Sequence, residues 1–183
     1  MFKKLFDVLF AVIGFCLLSC VLIILWILVS IDTKSDGFFL QKRIGQFGKP
    51  FLIIKFKSIR YTDNGKVISV FGKFIRKKKL DELPQLLNII KGDMSFVGPR
   101  PDVSGYYDLL KGDERKILQL KPGLTSLASL KYVNEEEFLL QQNNPLLYND
   151  TVIFPDKVKM NLHYYYCNNL FIDIKIIIKT LIR

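Results

Sequence analysis

The stretch "VLFAVIGFCLLSCVLIILWILVSI", from Val8 to Ile31, contains no charged residue, and it limits what this chain can fold into more than any other feature. About two dozen apolar residues at a helical rise of 1.5 Å match a hydrocarbon core of roughly 30 Å, so the segment is expected to enter a membrane. It is too long for the apolar region of a usual signal peptide, and no small-x-small cleavage pattern follows it before Asp32. Lys3 and Lys4 precede the run, while Lys34, Lys42, Arg43 and Lys49 follow it. A spanning helix usually carries its Lys and Arg excess on one side. Cations at both ends therefore fit a helix that enters, bends and returns as well as they fit a plain span. Gly14 and Ser19 are the candidate bend points, since Gly is flexible and a Ser hydroxyl can compete for a carbonyl one turn earlier.

With 183 residues, the chain has room for one catalytic-sized domain beside this segment. The expected organisation is a membrane-inserted anchor over residues 1–33 and a cytosolic domain over 34–183. A net charge of +10 combined with 50% hydrophobic residues is oilier than most nucleic-acid binders of that charge. It points to membrane lipids and phosphorylated substrates as partners, with no nucleic acid expected. Cys16, Cys20 and Cys167 are too few and scattered for a disulfide framework, and the single His163 offers no ligand cluster with them.

After the anchor, "SDGFFLQKRIGQFGKPFLIIKFKSIR" reads as extended segments broken by Gly45, Gly48 and Pro50. Lys55 and Lys57 alternate with apolar neighbours and so share one face of a strand, either as a solvated surface or as a pair of substrate cations. Next comes "RKKKLDELPQLLNIIKGDMSFVGPRP", from Arg76 to Pro101. Leu83, Leu86, Leu87 and Ile90 have the spacing of a helix face, and Gly92 stands where a left-handed C′ residue belongs. Pro84 is compatible with this helix if Asp81 lies near the N-cap, because first-turn N–H groups have no intrahelical partner. Asp81 and Glu82 then sit at a positive helix end beside Arg76 and Lys77 to Lys79, a setting expected to favour their ionised forms. Two readings of the pair stay open: an ordinary helix start, or carboxylates that hold Mg²⁺ or supply a nucleophile.

Gly98, Pro99 and Pro101 make a rigid turn presenting Arg100, a fork suited to phosphate if the turn is more than structural. "LKPGLTSLAS", from Leu120, repeats the arrangement with Lys121. No glycine-rich nucleotide loop is present, so a bound phosphate would be held by side-chain cations and metal. Glu135 starts an amphipathic helix through Leu140, and "QQNNPLLYND" reads as polar loop. The tail "LFIDIKIIIKTLIR" places Lys175, Lys179 and Arg183 on one helical stripe, suited either to the headgroup plane or to capping the core. The expected fold is a mixed, helix-rich α/β small catalytic domain with a re-entrant N-terminal helix and interfacial amphipathic helices.

Through "KKLFDVLF", "FFLQKRIGQFGKPFLIIKFKSI", "FGKFIRKKKLDELPQLLNIIKGDMSFVGPRPD", "LKPGLTSLA" and "DIKIIIKTL", the chain resembles the small monotopic phosphoglycosyl transferases, bacterial sugar transferases that start glycan assembly on a polyprenol carrier. The resemblance implies transfer of a sugar-1-phosphate from a UDP-sugar to polyprenyl (undecaprenyl) phosphate with release of UMP. It implies Asp81 as nucleophile forming a phosphosugar-aspartate, with Glu82 as a partner associated with Mg²⁺ and both carboxylates near the metal. It further implies substrate-binding roles for Lys55, Lys57, Arg76, Gln85, Arg100 and Lys121, and a place at the bacterial inner membrane with the catalytic domain on the cytoplasmic face. The chain departs from the family where Ser19-Cys20 replaces the usual Ser-Pro of the membrane helix, and where Lys57 and Lys121 replace arginines. A basic membrane-attached scaffold without catalysis is the alternative, and it needs no particular Asp81. A metal-dependent glycosyltransferase would release UDP rather than UMP.

Overall fold

The computed structural model describes residues 2–62 and 65–182. It is a mixed, helix-rich α/β protein that divides into two compact units, Met1–Arg43 with Phe51–Asp93, and Ile44–Pro50 with Met94–Arg183. The first unit contains, in chain order, α1 (Phe2–Leu17), α2 (Ser19–Thr33), β1 (Phe38–Ile44), β2 (Pro50–Phe56), β3 (Arg60–Thr62), β4 (Gly65–Val67), α3 (Val70–Lys77) and α4 (Gln85–Lys91), β1 and β2 each reaching one residue into the loop of the second.

The apolar run is broken at Leu18, where α1 and α2 meet at 66°. Among the described residues no single helix is long and apolar enough to cross a membrane, whereas this bent pair meets that test together. Leu18 leaves helical geometry (φ −92°, ψ 2°), and the Ser19 hydroxyl donates to the Cys16 carbonyl at 2.8 Å, the side-chain competition that bends helices. Serine thus accompanies the break, with no proline beside it. Gly14 has another use: α1 packs on α4, and a methyl at Gly14 would lie 3.9 Å from Leu86 Cδ1.

The far end of α2 is tied down by polar bonds. Trp26 Nε1 donates to the Asp36 carbonyl at 2.8 Å. The Ser69 hydroxyl donates to Asp32 at 2.7 Å while accepting from the Gly72 N–H at 2.8 Å, and so caps α3. Leu22, Leu25, Val29, Phe56 and Ile75 form the core here, each burial worth roughly 1.5–3 kcal/mol. The extended segments expected after the anchor are β1 and β2, paired in a two-stranded sheet.

The second unit contains β5 (Ser95–Val97), β6 (Gly123–Thr125), α5 (Leu127–Lys131), α6 (Glu135–Leu140), α7 (Pro145–Tyr148), α8 (Phe154–Cys167) and α9 (Leu170–Leu181). β5 and β6 pair in parallel, Ser95 opposite Gly123 and Val97 opposite Thr125. Tyr107, Ile117, Leu118 and Val158 form one cluster, and Val97, Tyr164 and Ile176 another. Of "QQNNPLLYND", residues 141–144 are the loop that was expected, whereas the stretch from Pro145 onward is helical. Pro145 starts α7, Asn144 Oδ1 accepts from the Leu147 N–H at 3.1 Å, and a π-turn over Asn149–Ile153 leads into α8. The tail helix α9 follows the core-capping reading of its sequence. Asp173 and Ile176 are buried on one face, while Phe171, Ile174, Ile178 and Leu181 are exposed on the other; Arg183 lies outside the described residues.

Candidate active site

The α3 helix ends on Arg76 and Lys77, and the chain then reverses at Lys79 in the left-handed region (φ 56°). That conformation costs a non-glycine residue roughly 1–2 kcal/mol. Its effect is a single 3₁₀ turn, Leu80–Glu82, that carries both carboxylates inward, leaving Asp81 and Glu82 only 9% and 7% exposed. The helix read from the leucine spacing follows as α4, with Pro84 before its first turn and Gly92 in the left-handed conformation (φ 87°) at its end.

Asp81 does not cap that helix: the residue at its N-cap is Pro84, and Asp81 Oδ1 is buried without a hydrogen-bond partner. The ordinary helix-start reading of Asp81 is therefore wrong. Glu82 Oε1 accepts from Lys55 Nζ at 3.1 Å, both side chains being largely buried. Burial pushes the Asp81 carboxyl up, and the adjacent Glu82 adds to this, against the opposing pull of Lys55, Lys79 and Arg76. The sequence placed Asp81 among cations and so favoured its ionised form. Desolvation outweighs them.

Lys57 does not join Lys55. Its ammonium lies 2.7 Å from Asp36 Oδ1 and its N–H bonds the Gly37 carbonyl at 2.8 Å. β2 has ended at Phe56, so the alternation that put the two lysines on one face stops between them. The Lys57 bond holds the Asp36 carboxyl below the usual carboxylate range. Gln85 is 2% exposed with Nε2 unpartnered. Lys55, Arg76, Asp81, Glu82 and Gln85 thus belong to the first unit.

Arg100 and Lys121 belong to the second unit, where their two turns are held together. Gly123 N–H donates to the Pro99 carbonyl at 2.8 Å, Ser95 N–H to Pro122 at 2.9 Å and Gly98 N–H to Thr125 at 3.0 Å. The backbones approach closely enough that a Cβ on Gly98 would fall 2.2 Å from the Lys121 carbonyl oxygen. Only glycine fits there. Arg100 is exposed and Lys121 half-buried.

One residue escaped the sequence reading altogether. Asn88 is fully buried (0%) and bonds the β2 backbone at Leu52 and Ile54; its only signal was an amide inside an apolar helix face. Among the described residues no group of three metal-ligating side chains exists. Two carboxylates, one with an orphaned buried oxygen, still suit Mg²⁺, which commonly takes one or two protein carboxylates plus substrate phosphates.

The bacterial sugar transferase family model matches residues 1–183. An uncharacterized sugar transferase of Bacillus subtilis is 36% identical over 136 residues, covering 70% of this chain and 67% of the relative. A putative undecaprenyl-phosphate N-acetylgalactosaminyl 1-phosphate transferase of the same organism is 36% identical over 110 residues, 55% of this chain and 62% of the relative. The UDP-glucose:undecaprenyl-phosphate glucose-1-phosphate transferase of Klebsiella pneumoniae is 30% identical over 196 residues. That match takes in 100% of this chain but 40% of the relative, so this chain spans well under half of that protein.

Proposed function

This chain belongs to the bacterial sugar transferase family, and from that premise we propose that it transfers a sugar-1-phosphate from a UDP-sugar to undecaprenyl phosphate at the bacterial inner membrane. Two similar proteins are named for different sugars, N-acetylgalactosamine and glucose, so the phosphate transfer, not the sugar, is what this chain shares with them. The observation that carries the reading is the buried Asp81 carboxyl. It has an oxygen with no partner inside the protein, beside a Glu82 fixed by Lys55. A purely structural carboxylate at such a position would normally be hydrogen-bonded, and a scaffold would have no use for one left open.

In the proposed reaction an Asp81 oxygen attacks the β-phosphorus of the UDP-sugar, and the bond from that phosphorus to the bridging oxygen breaks with its electron pair, releasing UMP. An oxygen of undecaprenyl phosphate then attacks the same phosphorus and the Asp81–phosphorus bond breaks, returning the carboxylate. Burial raises the energy of the ionised Asp81, which makes its oxygen more basic, while Lys55, Lys79 and Arg76 keep it within reach of ionisation. Arg100 and Lys121 are the cations proposed to take phosphate oxygens, and Gln85 Nε2 is a buried donor still open to a substrate oxygen. Mg²⁺, if held by Asp81 and Glu82, would neutralise diphosphate oxygens. The bend of 66° at Leu18, with cations at both ends of the run, supports a re-entrant hairpin whose ends share the cytoplasmic face. This keeps the domain at the level where the acceptor's phosphate lies.

The test is intact-mass spectrometry on purified protein given UDP-glucose or UDP-N-acetylgalactosamine with Mg²⁺ and no acceptor. A gain of one sugar phosphate and release of UMP are expected, both lost in Asp81→Asn. UMP that forms only after acceptor is added, with no adduct at any time, would sink the covalent route, and release of UDP would sink the phosphate transfer itself.

A further inference from the structure

The Asn88 carboxamide commits both of its ends to a single strand. Oδ1 accepts from the Ile54 N–H at 3.0 Å, and Nδ2 donates to the Leu52 carbonyl at 2.7 Å. In extended backbone the C=O of one residue and the N–H two positions on point to the same edge, where a neighbouring strand would receive them. The buried amide, 0% exposed, fills the place of that strand's peptide group. A helix is thereby stitched to a strand edge by one side chain, with a donor and an acceptor that fix the register as well as the distance.

Lys55 is the residue immediately beyond this stitch. Ile53 is 3% exposed and lies on the same side of β2 as Lys55 by strand alternation, and the Lys55 ammonium reaches Glu82 Oε1 at 3.1 Å. The strand therefore meets the segment 80–91 twice in succession, at Asn88 through its backbone and at Glu82 through its lysine. A slip of one residue, about 3.3 Å along the strand, would break both amide bonds and carry Lys55 off Glu82. We infer that Asn88 is a positioning residue for the transfer reaction: it holds β2 in the register that delivers Lys55 to Glu82 and so sets the carboxylate beside Asp81. This inference rests on the sugar-phosphate transfer reading. It adds a residue that touches neither carboxylate.

The test is a double-mutant cycle read in single turnovers, with enzyme in saturating excess over labelled UDP-sugar in the presence of undecaprenyl phosphate and Mg²⁺. The rate constant of UMP release, unlike its amplitude, does not depend on how much of the preparation is folded. Asn88→Leu and Lys55→Met are each expected to slow that rate constant roughly 10–100-fold, the range for loss of a group supporting a site from behind. The double variant should fall no more than about threefold below Lys55→Met alone, because the second change removes a support whose load is already gone. Losses that multiply would overturn the inference and leave Asn88 as a fold-stabilising amide. If Asn88→Leu does not fold, Asn88→Asp carries the same cycle, since it keeps the acceptor toward Ile54 and replaces only the donor toward Leu52. A wild-type protein that releases no UMP from any UDP-sugar overturns the transferase reading and this inference together. Multiplying losses in an active wild type overturn the inference alone.

Discussion

A methyl group at Gly123 has no space to occupy, and its cost can be worked from the surroundings. A Cβ there would stand 2.1 Å from the Gly98 nitrogen, 2.4 Å from its oxygen and 2.7 Å from its Cα. Ordinary contact begins at about 3.5 Å, so the two turns must part by about 1.4 Å at the tightest point. These are backbone atoms, which no rotamer change can move aside. Three bonds cross this gap, Gly123 to Pro99, Ser95 to Pro122 and Gly98 to Thr125, at 2.8, 2.9 and 3.0 Å, and none survives such a displacement. At about 1 kcal/mol net for each, Gly123→Ala is expected to lose about 3 kcal/mol. For a chain of this size that corresponds to a fall in Tm of roughly 6–12 °C. Arg100 and Lys121 hang on the separated turns, so UMP release should fall as well. Thermal unfolding in detergent and the UMP assay check this, with Gly14→Ala as the control. A methyl at Gly14 meets nothing nearer than Leu86 at 3.9 Å, and Tm should move by no more than ~2 °C. If Gly123→Ala unfolds with the control and turns over normally, the steric account of this crossing is wrong.

Asp81→Asn should abolish turnover yet leave Tm at pH 7 unchanged or raised. The Asp81 carboxyl binds its proton more tightly in the native state than in the unfolded chain, so the native state loses stability as pH rises through the carboxylate range and does not regain it; a marked drop in Tm would contradict this. For the same reason the acid limb of kcat/KM should lie above the ordinary carboxylate range. Lys55→Met, which removes the strongest of the opposing cations, should shift that limb further toward neutral pH, and a pH profile moving the other way would show that Asp81 is not the titrating group. With Cys16, Cys20 and Cys167 replaced, a cysteine at position 2 should resist a membrane-impermeant reagent until the inner membrane is opened, as a hairpin requires. Labelling from the periplasmic side would establish a span instead.

What the sequence disclosed, and what it hid, follow from the range of the interactions concerned. The leucine spacing of α4, Gly92 at its end and Ser19 at the break in the apolar run are local features, decided within a turn or two of backbone, and each could be read from its neighbours. The turns carrying Arg100 and Lys121 were legible as turns. Their crossing was not, because it pairs Gly98 with Gly123 across 25 positions of chain, and a lone glycine does not say what its missing side chain makes room for. Asn88 was lost because hydropathy counts an amide on a helix as a surface residue, whereas its partners are the backbone of Leu52 and Ile54. Lys79 was lost because a left-handed residue is sought at glycine or asparagine.

The protonation of Asp81 was read with the wrong sign for the same physical reason. Arg76 and Lys79 are near in sequence and their pull could be foreseen, but how deeply the turn carrying Asp81 would be buried could not be read from its neighbours. Local charge argued for a comfortable carboxylate. Tertiary burial makes an uncomfortable one, with its oxygen left open, and groups held in that condition collect where a reaction can use them. The strained turn at Lys79, the orphaned Asp81 oxygen and the unpartnered Gln85 amide are each a small loss of stability, and they fall within seven consecutive residues. A fold selected for stability alone would have capped the helix with Asp81 and turned Gln85 outward.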